Sequence, residues 1–571
     1  MHDLVIRKGT VVDGTGAPAR EADVAIRGER IAEVGAGLAP GTREIDARGR
    51  LVTPGWVDIH THYDGQATWD PHLTPSSWHG VTTVVMGNCG VGFAPAAPDR
   101  RAWLIGLMEG VEDIPGTALA EGIRWDWESF PEYLDALERM PRSLDVAAQV
   151  PHGAVRAYVM GERGAKNEKA TPDDVARMAA IVGEAVRAGA VGFSTSRTLL
   201  HRAVDGEPVP GTFASADEML AIGAALGEVG RGVVELASDF TPEDGELEWI
   251  GELSRRTGRP VTFACLQNDL QPEQWRRLLA ASERSAAEGG RVTPQVAARP
   301  TGLLLGLQST FHPFQAHPSY RAIEHLPLPE RVAAMRDPEL RRRIVTEPPA
   351  HPSPVAMFIA ASFHKLFPLG DPPEYEPPPE ASVKAIAERE GRTPQEVAYD
   401  RMLERDGRAL LYFPLLNYAH GSFDAIAEML RHPRAVLGLS DGGAHCGILC
   451  DASMPTFLLT HWARDRKRGE RLPLEALVQA QTQRTAALYG FRDRGVLAPG
   501  HLADVNVIDL DALRLCAPEM VFDLPGRSRR LVQRVEGYVA TAKRGVVTFE
   551  DGEPTGALPG RLVRGETPAP R

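Results

Sequence analysis

Two histidines one residue apart, in 56-WVDIHTH-62, are the strongest chemical signal in this sequence. Side chains alternate along an extended strand, so Val57, Ile59 and Thr61 share one side while Asp58, His60 and His62 share the other. Two imidazoles on one face at a strand end can converge on one divalent cation as neutral nitrogen ligands. A second segment, 80-GVTTVVMGNCG-90, ends an apolar run at Cys89. A thiolate there is a strong zinc ligand and can also bridge two ions. A third, 435-AVLGLSDGGAHCG-447, breaks its apolar run at Ser440-Asp441. A carboxylate at that point can ligate the ion, take a proton from its water, or do both. His445, in the glycine-rich turn that follows, is a candidate to line the pocket or donate to a substrate.

Other residues are candidates for substrate recognition. Arg197 follows 194-STS-196, and a guanidinium suits bidentate pairing with a substrate carboxylate. His152 in 149-QVPH-152 and His312 in 311-FHPF-314 sit in loops that can reach a pocket. Glu109, Glu112 and Asp113 in 109-EGVED-113 can reach toward the same rim.

These residues need a scaffold that collects strand ends. Eight apolar stretches, WVDIH, GVTTVVM, SLDVAAQV, GAVGFS, GVVEL, PVTFAC, RVTPQV and AVLGLS, read as buried strands, and several are followed by helical stretches such as PDDVARMAAIVGEAVRAG and ADEMLAIGAALGEVG. This pattern predicts an α/β fold, a closed (β/α)8 TIM barrel whose chemistry sits at the C-terminal strand ends. An open doubly wound sheet fits less well, because no Gly-rich phosphate loop follows the first strand. The barrel is expected over residues 54–496, with insertions at about 97–143 and 309–430 as lid candidates. Short period-two strands fill residues 1–53 and return in 497–571. Neither piece can bury a core alone, so the two are expected to form one small discontinuous β-sandwich domain. The last dozen residues, rich in Gly, Pro and Arg, are expected to fray.

The chain has 571 residues, 43% of them hydrophobic, a formal net charge of -13 and five cysteines. The acidic balance argues against nucleic acid or an anionic membrane as partner. The few scattered cysteines suit a reducing compartment, and no apolar run reaches transmembrane length. A cytoplasmic enzyme acting on a small-molecule substrate is expected, with a homo-oligomer compatible with a barrel of this size.

The motifs 54-PGWVDIHTHYD-64, 80-GVTTVVMGNCGVGFAP-95, 190-AVGFST-195, 440-SDGGAH-445 and 495-GVLAPGHLADVNVID-509 resemble the amidohydrolase superfamily, and within it the N-acyl-D-amino-acid deacylase group. The resemblance implies a metal-dependent hydrolase of carbon–nitrogen bonds other than peptide bonds. It carries metal-ligand roles onto His60, His62, Cys89 and Asp441, with Asp441 also the catalytic base. The group also places one His at the end of the fifth strand and another at the end of the sixth, where they hold the tighter zinc with the Cys. This sequence departs there, since 232-GVVELASDF-240 and 260-PVTFACLQND-269 contain no histidine. Glu235 or Cys265 can replace a ligand, or the His60/His62/Asp441 side alone can bind one ion, or metal and chemistry can both have been lost. Gln267 shares the face of Cys265 and joins the substrate-binding candidates. One divalent ion is favoured over two, with zinc first and iron or manganese open. The rival readings are hydrolysis of a cyclic amide, carbamate or lactone, and a non-catalytic binding protein.

Overall fold

The computed structural model describes residues 1–350 and 353–570. Eight strands, β1 (Trp56–Asp58), β2 (Val81–Met86), β3 (Asp145–Pro151), β4 (Gly192–Arg197), β5 (Val233–Ser238), β6 (Val261–Ala264), β7 (Val292–Val296) and β8 (Val436–Leu437), lie side by side in chain order. Every neighbouring pair is parallel. Just beyond β1 and β8, a parallel bridge between Thr61 and Gly442 brings the two ends of the sheet together. The His62 amide donates to the Gly442 carbonyl at 2.8 Å, and the Asp441 amide to the His60 carbonyl at 3.1 Å. The expected (β/α)8 barrel is therefore the observed one, and each of the eight stretches read as strands supplies one stave.

Helices cover the barrel because each strand buries residues on its outer side. Val146, Ala148, Val150, Phe193, Val234, Leu236, Val261 and Phe263 share one apolar cluster with Met178, Val182, Ile222, Leu226, Trp249 and Leu253 from the surrounding helices. The helix Pro172–Ala188 begins with a reciprocal cap between Thr171 and Asp174, and Pro sits in its first turn, where a missing N–H costs nothing. The helix α1 (Arg101–Glu112) belongs to the first long interruption, and the chain from β7 to β8 builds a second apolar core around Leu305, Phe314, Tyr320, Tyr399 and Phe413.

Both ends of the chain build one nine-stranded sheet. Its seam is an antiparallel pairing of Leu51–Pro54 with Val505–Ile508. Leu4, Ile6, Val24, Ile26, Val52, Val505, Val507 and Ala540 fill its core, giving the expected discontinuous β-sandwich. From its C-terminal half a hairpin, Glu519–Leu524 with Ser528–Val532, reaches the barrel rim, where the Leu531 amide donates to Cys446 O at 2.6 Å. The expected fraying of the tail is not found. Leu562 bridges to Val146, the Val563 amide donates to Val146 O, and Arg564 pairs with Asp135 and Glu138. Two apolar residues and a paired arginine anchor a segment whose composition suggested none.

The two domains are joined by buried charge. Asp145, at the start of β3, lies 2.8 Å from Arg494, 2.9 Å from Lys543 and 2.9 Å from Arg544, and Lys543 also meets Asp504 at 2.7 Å. Burial alone would raise the Asp145 carboxyl, but Lys543, Arg494 and Arg544 outweigh it and hold the group below the ordinary carboxylate range. Breaking such a cluster leaves buried cations unpaired, at a cost of about 3–5 kcal/mol. Asp145→Asn should therefore lower the thermal unfolding midpoint clearly at neutral pH. Because the folded pKa lies below the unfolded value of about 3.9, the stabilisation is complete above that value and is lost as pH falls below it, so wild type and variant should converge in acid. Equal midpoints at pH 7 would contradict this account.

Candidate metal centre

The ends of β1, β2 and β8 bring the chemistry together. One ligand atom each of His60, His62 and Cys89 lie within 4.8 Å of one another. His60 Nε2 is 3.4 Å from Cys89 Sγ and 3.4 Å from Asp441 Oδ1, while His62 Nε2 is 3.7 Å from the same carboxylate oxygen. The histidine side chains are 1% exposed and that of Asp441 is 16% exposed, so the cluster opens on the Asp441 side.

Outer partners orient each ring. Gln295 Oε1, from β7, lies 3.0 Å from His60 Nδ1 and accepts its proton, which leaves the Nε2 lone pair directed at Cys89 and Asp441. Glu112, the last residue of α1, lies 3.4 Å from His62 Nδ1 and 3.6 Å from His445 Nε2. Ser440 Oγ donates to Asp58 Oδ2 at 2.5 Å and fixes the turn that carries Asp441. Cys89, Asp441 and His445 have φ of 55°, 48° and 51°. Left-handed conformations are costly for residues with a Cβ, and they persist where surrounding contacts over-determine a functional turn.

The electrostatics suit a cation. Burial drives His60 down to about 4. Burial also works against a proton on His62, but Glu112 and Asp441 outweigh it and lift that group to about 9. Burial, Glu235 and Glu112 together push the Cys89 thiol well above its usual value. Asp441 is held below the carboxylate range, because His62, His60 and His445 outweigh its burial. Glu235, on β5, is wholly buried: one oxygen accepts from the Cys89 amide at 2.9 Å, and the other, Oε1, has no hydrogen-bond partner and lies 4.0 Å from His60 Nδ1. Burial lifts this carboxyl to about 8. Two imidazoles and a thiol, with an unpaired carboxyl oxygen of Glu235 nearby, form a donor set that fits a divalent cation.

Several sequence candidates lie elsewhere. Cys265 is buried against Trp275, its sulfur 3.9 Å from the Trp275 carbonyl, and burial lifts its thiol to about 12. Gln267 is consumed by the backbone of Ala419 and Pro272 and ties two loops together. Arg197 makes a fork on Glu246 and bonds Ala214 O, so its guanidinium is already paired. His152 is clamped between Thr195 and Glu218, at 2.8 and 2.9 Å. His312 packs edge-on against Tyr320 inside the second core, its Nδ1 accepting from the Phe314 amide. In each case an acid, amide or ring from an unrelated element captures the side chain, a pairing that strand register cannot foretell. Of the 109–113 segment, Glu112 faces the centre, Glu109 accepts from the Gly116 amide, and Asp113 binds Thr310 and Gly447. Two residues were missed. Gln295 was unremarkable within RVTPQV, and His201 ends 192-GFSTSRTLLH-201 directly after β4, where a loop histidine was a readable signal.

The profile of the amidohydrolase family matches residues 43–549, and the chain belongs to that family. It is 28% identical to N-acyl-D-glutamate deacylase of Alcaligenes xylosoxydans xylosoxydans over 574 residues, covering 98% of this chain and 96% of the relative. With D-aminoacylase of the same organism it shares 37% identity over 195 residues, 34% of this chain and 37% of the relative. A solved D-aminoacylase, described as having a binuclear metal centre with one-metal activation and second-metal attenuation, superposes with a TM-score of 0.65 at 25% identity, covering 99% of this chain and 100% of that one.

Metal ligation requires a thiolate and unprotonated ring nitrogens. Because Cys89 and His62 hold their protons near pH 7, titrating the metal-free protein with Zn2+ should release protons, read by calorimetry in buffers of differing ionisation enthalpy. Cys89→Ser should release about one proton fewer. An identical release from both proteins would remove Cys89 from the cluster.

Proposed function

We propose that this amidohydrolase cleaves the amide of a small N-acylated amino acid of D configuration, using one zinc ion held by His60, His62 and Cys89. The observation that carries the reading is the convergence of these three residues with Asp441 Oδ1 at the ends of β1, β2 and β8. The relatives whose names specify D-aminoacylase and N-acyl-D-glutamate deacylase activities support the substrate class. The thiol in the donor set favours zinc over manganese. A single ion is supported by the sixth strand, where the Cys265 sulfur is turned to the Trp275 carbonyl, and by the one cluster His60, His62 and Cys89 found among the described residues. The solved D-aminoacylase, activated by one metal, is a precedent for chemistry on one ion.

When bound, the cation supplies Lewis acidity to the scissile carbonyl and acidifies the attacking water. The protein's own contribution centres on Asp441. Its carboxylate is ionised at neutral pH and is the most open member of the cluster, so it accepts the water proton at Oδ and returns it to the leaving nitrogen. His60 and His62 stay in place through Gln295 and Glu112, while Glu235 holds the Cys89 backbone by accepting from its amide. No helix among the described residues is long and apolar enough to cross a membrane.

Asp441→Ala should reduce kcat/KM by about 10²–10⁴-fold while zinc stays bound and the fold intact. The substrate class is tested with a panel of N-acyl-D-amino acids, their L isomers, cyclic amides, carbamates and lactones. Turnover confined to the D-acyl compounds supports the assignment. Preference for a ring-opening substrate would overturn the substrate class, and full activity of the alanine variant would overturn the base.

A further inference from the structure

The loop that follows β4 carries one more imidazole, held on the end of that strand by Ser196. His201 Nδ1 lies 3.1 Å from Ser196 Oγ, near the end of β4. The Ser196 backbone packs so closely on Gly90 that a Cβ there would sit 2.7 Å from the Ser196 nitrogen, and Gly90 adjoins Cys89. On its other flank the loop crosses α1. The Val204 amide donates to Gly106 O at 3.2 Å, and a Cβ on Gly110 would meet the Ala203 backbone at 2.4 Å. Glu112, which faces His62 and His445, stands at the end of that helix. His201 is thus strung between the wall bearing Cys89 and the wall bearing Glu112. Burial drives it down to about 3, and His445, His62 and Asp441 all act on it electrostatically, so the ring is neutral.

A neutral imidazole carries one proton, and its partner decides where. Ser196 Oγ has no other hydrogen-bond partner among the described residues, so its hydroxyl donates to Nδ1 and the proton sits on Nε2. No described residue accepts from that Nε2, and the ring is recessed without being sealed from solvent. We propose that His201 is a catalytic residue that donates from Nε2 to the carbonyl oxygen of the scissile amide. The inference rests on the amide-hydrolase reading above and adds a specific donor to it. Negative charge grows on that oxygen as water adds to the carbonyl, so a pre-aimed donor binds the transition state more tightly than the substrate. Ser196 is the positioning residue that selects the tautomer.

The test compares His201→Ala, His201→Gln and Ser196→Ala with wild type. Three quantities are read: kcat/KM on the amide that wild type hydrolyses, affinity for a phosphonate mimic of the tetrahedral adduct, and bound metal. His201→Ala should lose about 10²–10³-fold in kcat/KM and a comparable factor in phosphonate affinity, with metal content and melting temperature unchanged. Glutamine, which keeps a donor near the Nε2 position, should recover part of both losses, and Ser196→Ala should show a smaller loss of the same kind. Unchanged phosphonate affinity in His201→Ala, or loss of metal from that variant, would overturn the proposal. A wild type that hydrolyses no amide yet binds the phosphonate through His201 would instead overturn the amide reading and leave the donor role standing.

Discussion

The barrel closes where β1 meets β8, and the same backbone contact that closes it sets the chemistry. The Asp441 amide is bonded to His60 O and the His62 amide to Gly442 O, so the two imidazoles and the carboxylate are fixed relative to one another by main chain. Ser440 adds a side-chain tie to Asp58 and to His60 O. The turn that results holds Leu439, Asp441 and His445 at positive φ, a cost that the barrel closure sustains. Everything else about the centre depends on this seam. Without it the Asp441 carboxylate would have no reason to stand between two histidine nitrogens.

Around the seam lies a polar shell inside an otherwise apolar barrel. Gln295 and Glu112 fix the rings of His60 and His62, and Gln149 on β3 donates to Asn88 beside Cys89. Glu235, on β5, turns its free oxygen toward His60. On the sixth strand, Cys265 turns into the Trp275 packing. On one side a buried carboxyl with a raised pKa lies behind Cys89, and on the other the Cys265 thiol is taken up by apolar packing. The proposed single ion lies on the β1, β2 and β8 side, where the ligand atoms of His60, His62 and Cys89 converge.

The scaffold was readable from sequence because each stave is an apolar, β-branched run that a barrel interior and a helical coat demand at once. The His60/His62 pair, Cys89 and Asp441 were readable for a related reason, since polar residues that end such runs have little to do except meet at the rim. The pairings of Arg197 with Glu246 and of His152 with Glu218 were not legible, because those acids come from helices after other strands. The tail was misread because its few apolar residues, Leu562 and Val563, are outnumbered by Gly, Pro and Arg. Glu112 was flagged only as one acid of three, and helix phase at the end of α1 decides which one faces the metal ligands.

The proposed single functional cation lies on the β1, β2 and β8 side of the centre. It is tested most directly by stripping the protein of metal and adding zinc back in increments, with bound zinc and catalytic rate followed together. The account predicts that activity reaches its plateau when one equivalent per chain is bound and that further zinc adds none. Activity that rises only as a second equivalent binds would contradict it, and would place a second functional ion beside Glu235.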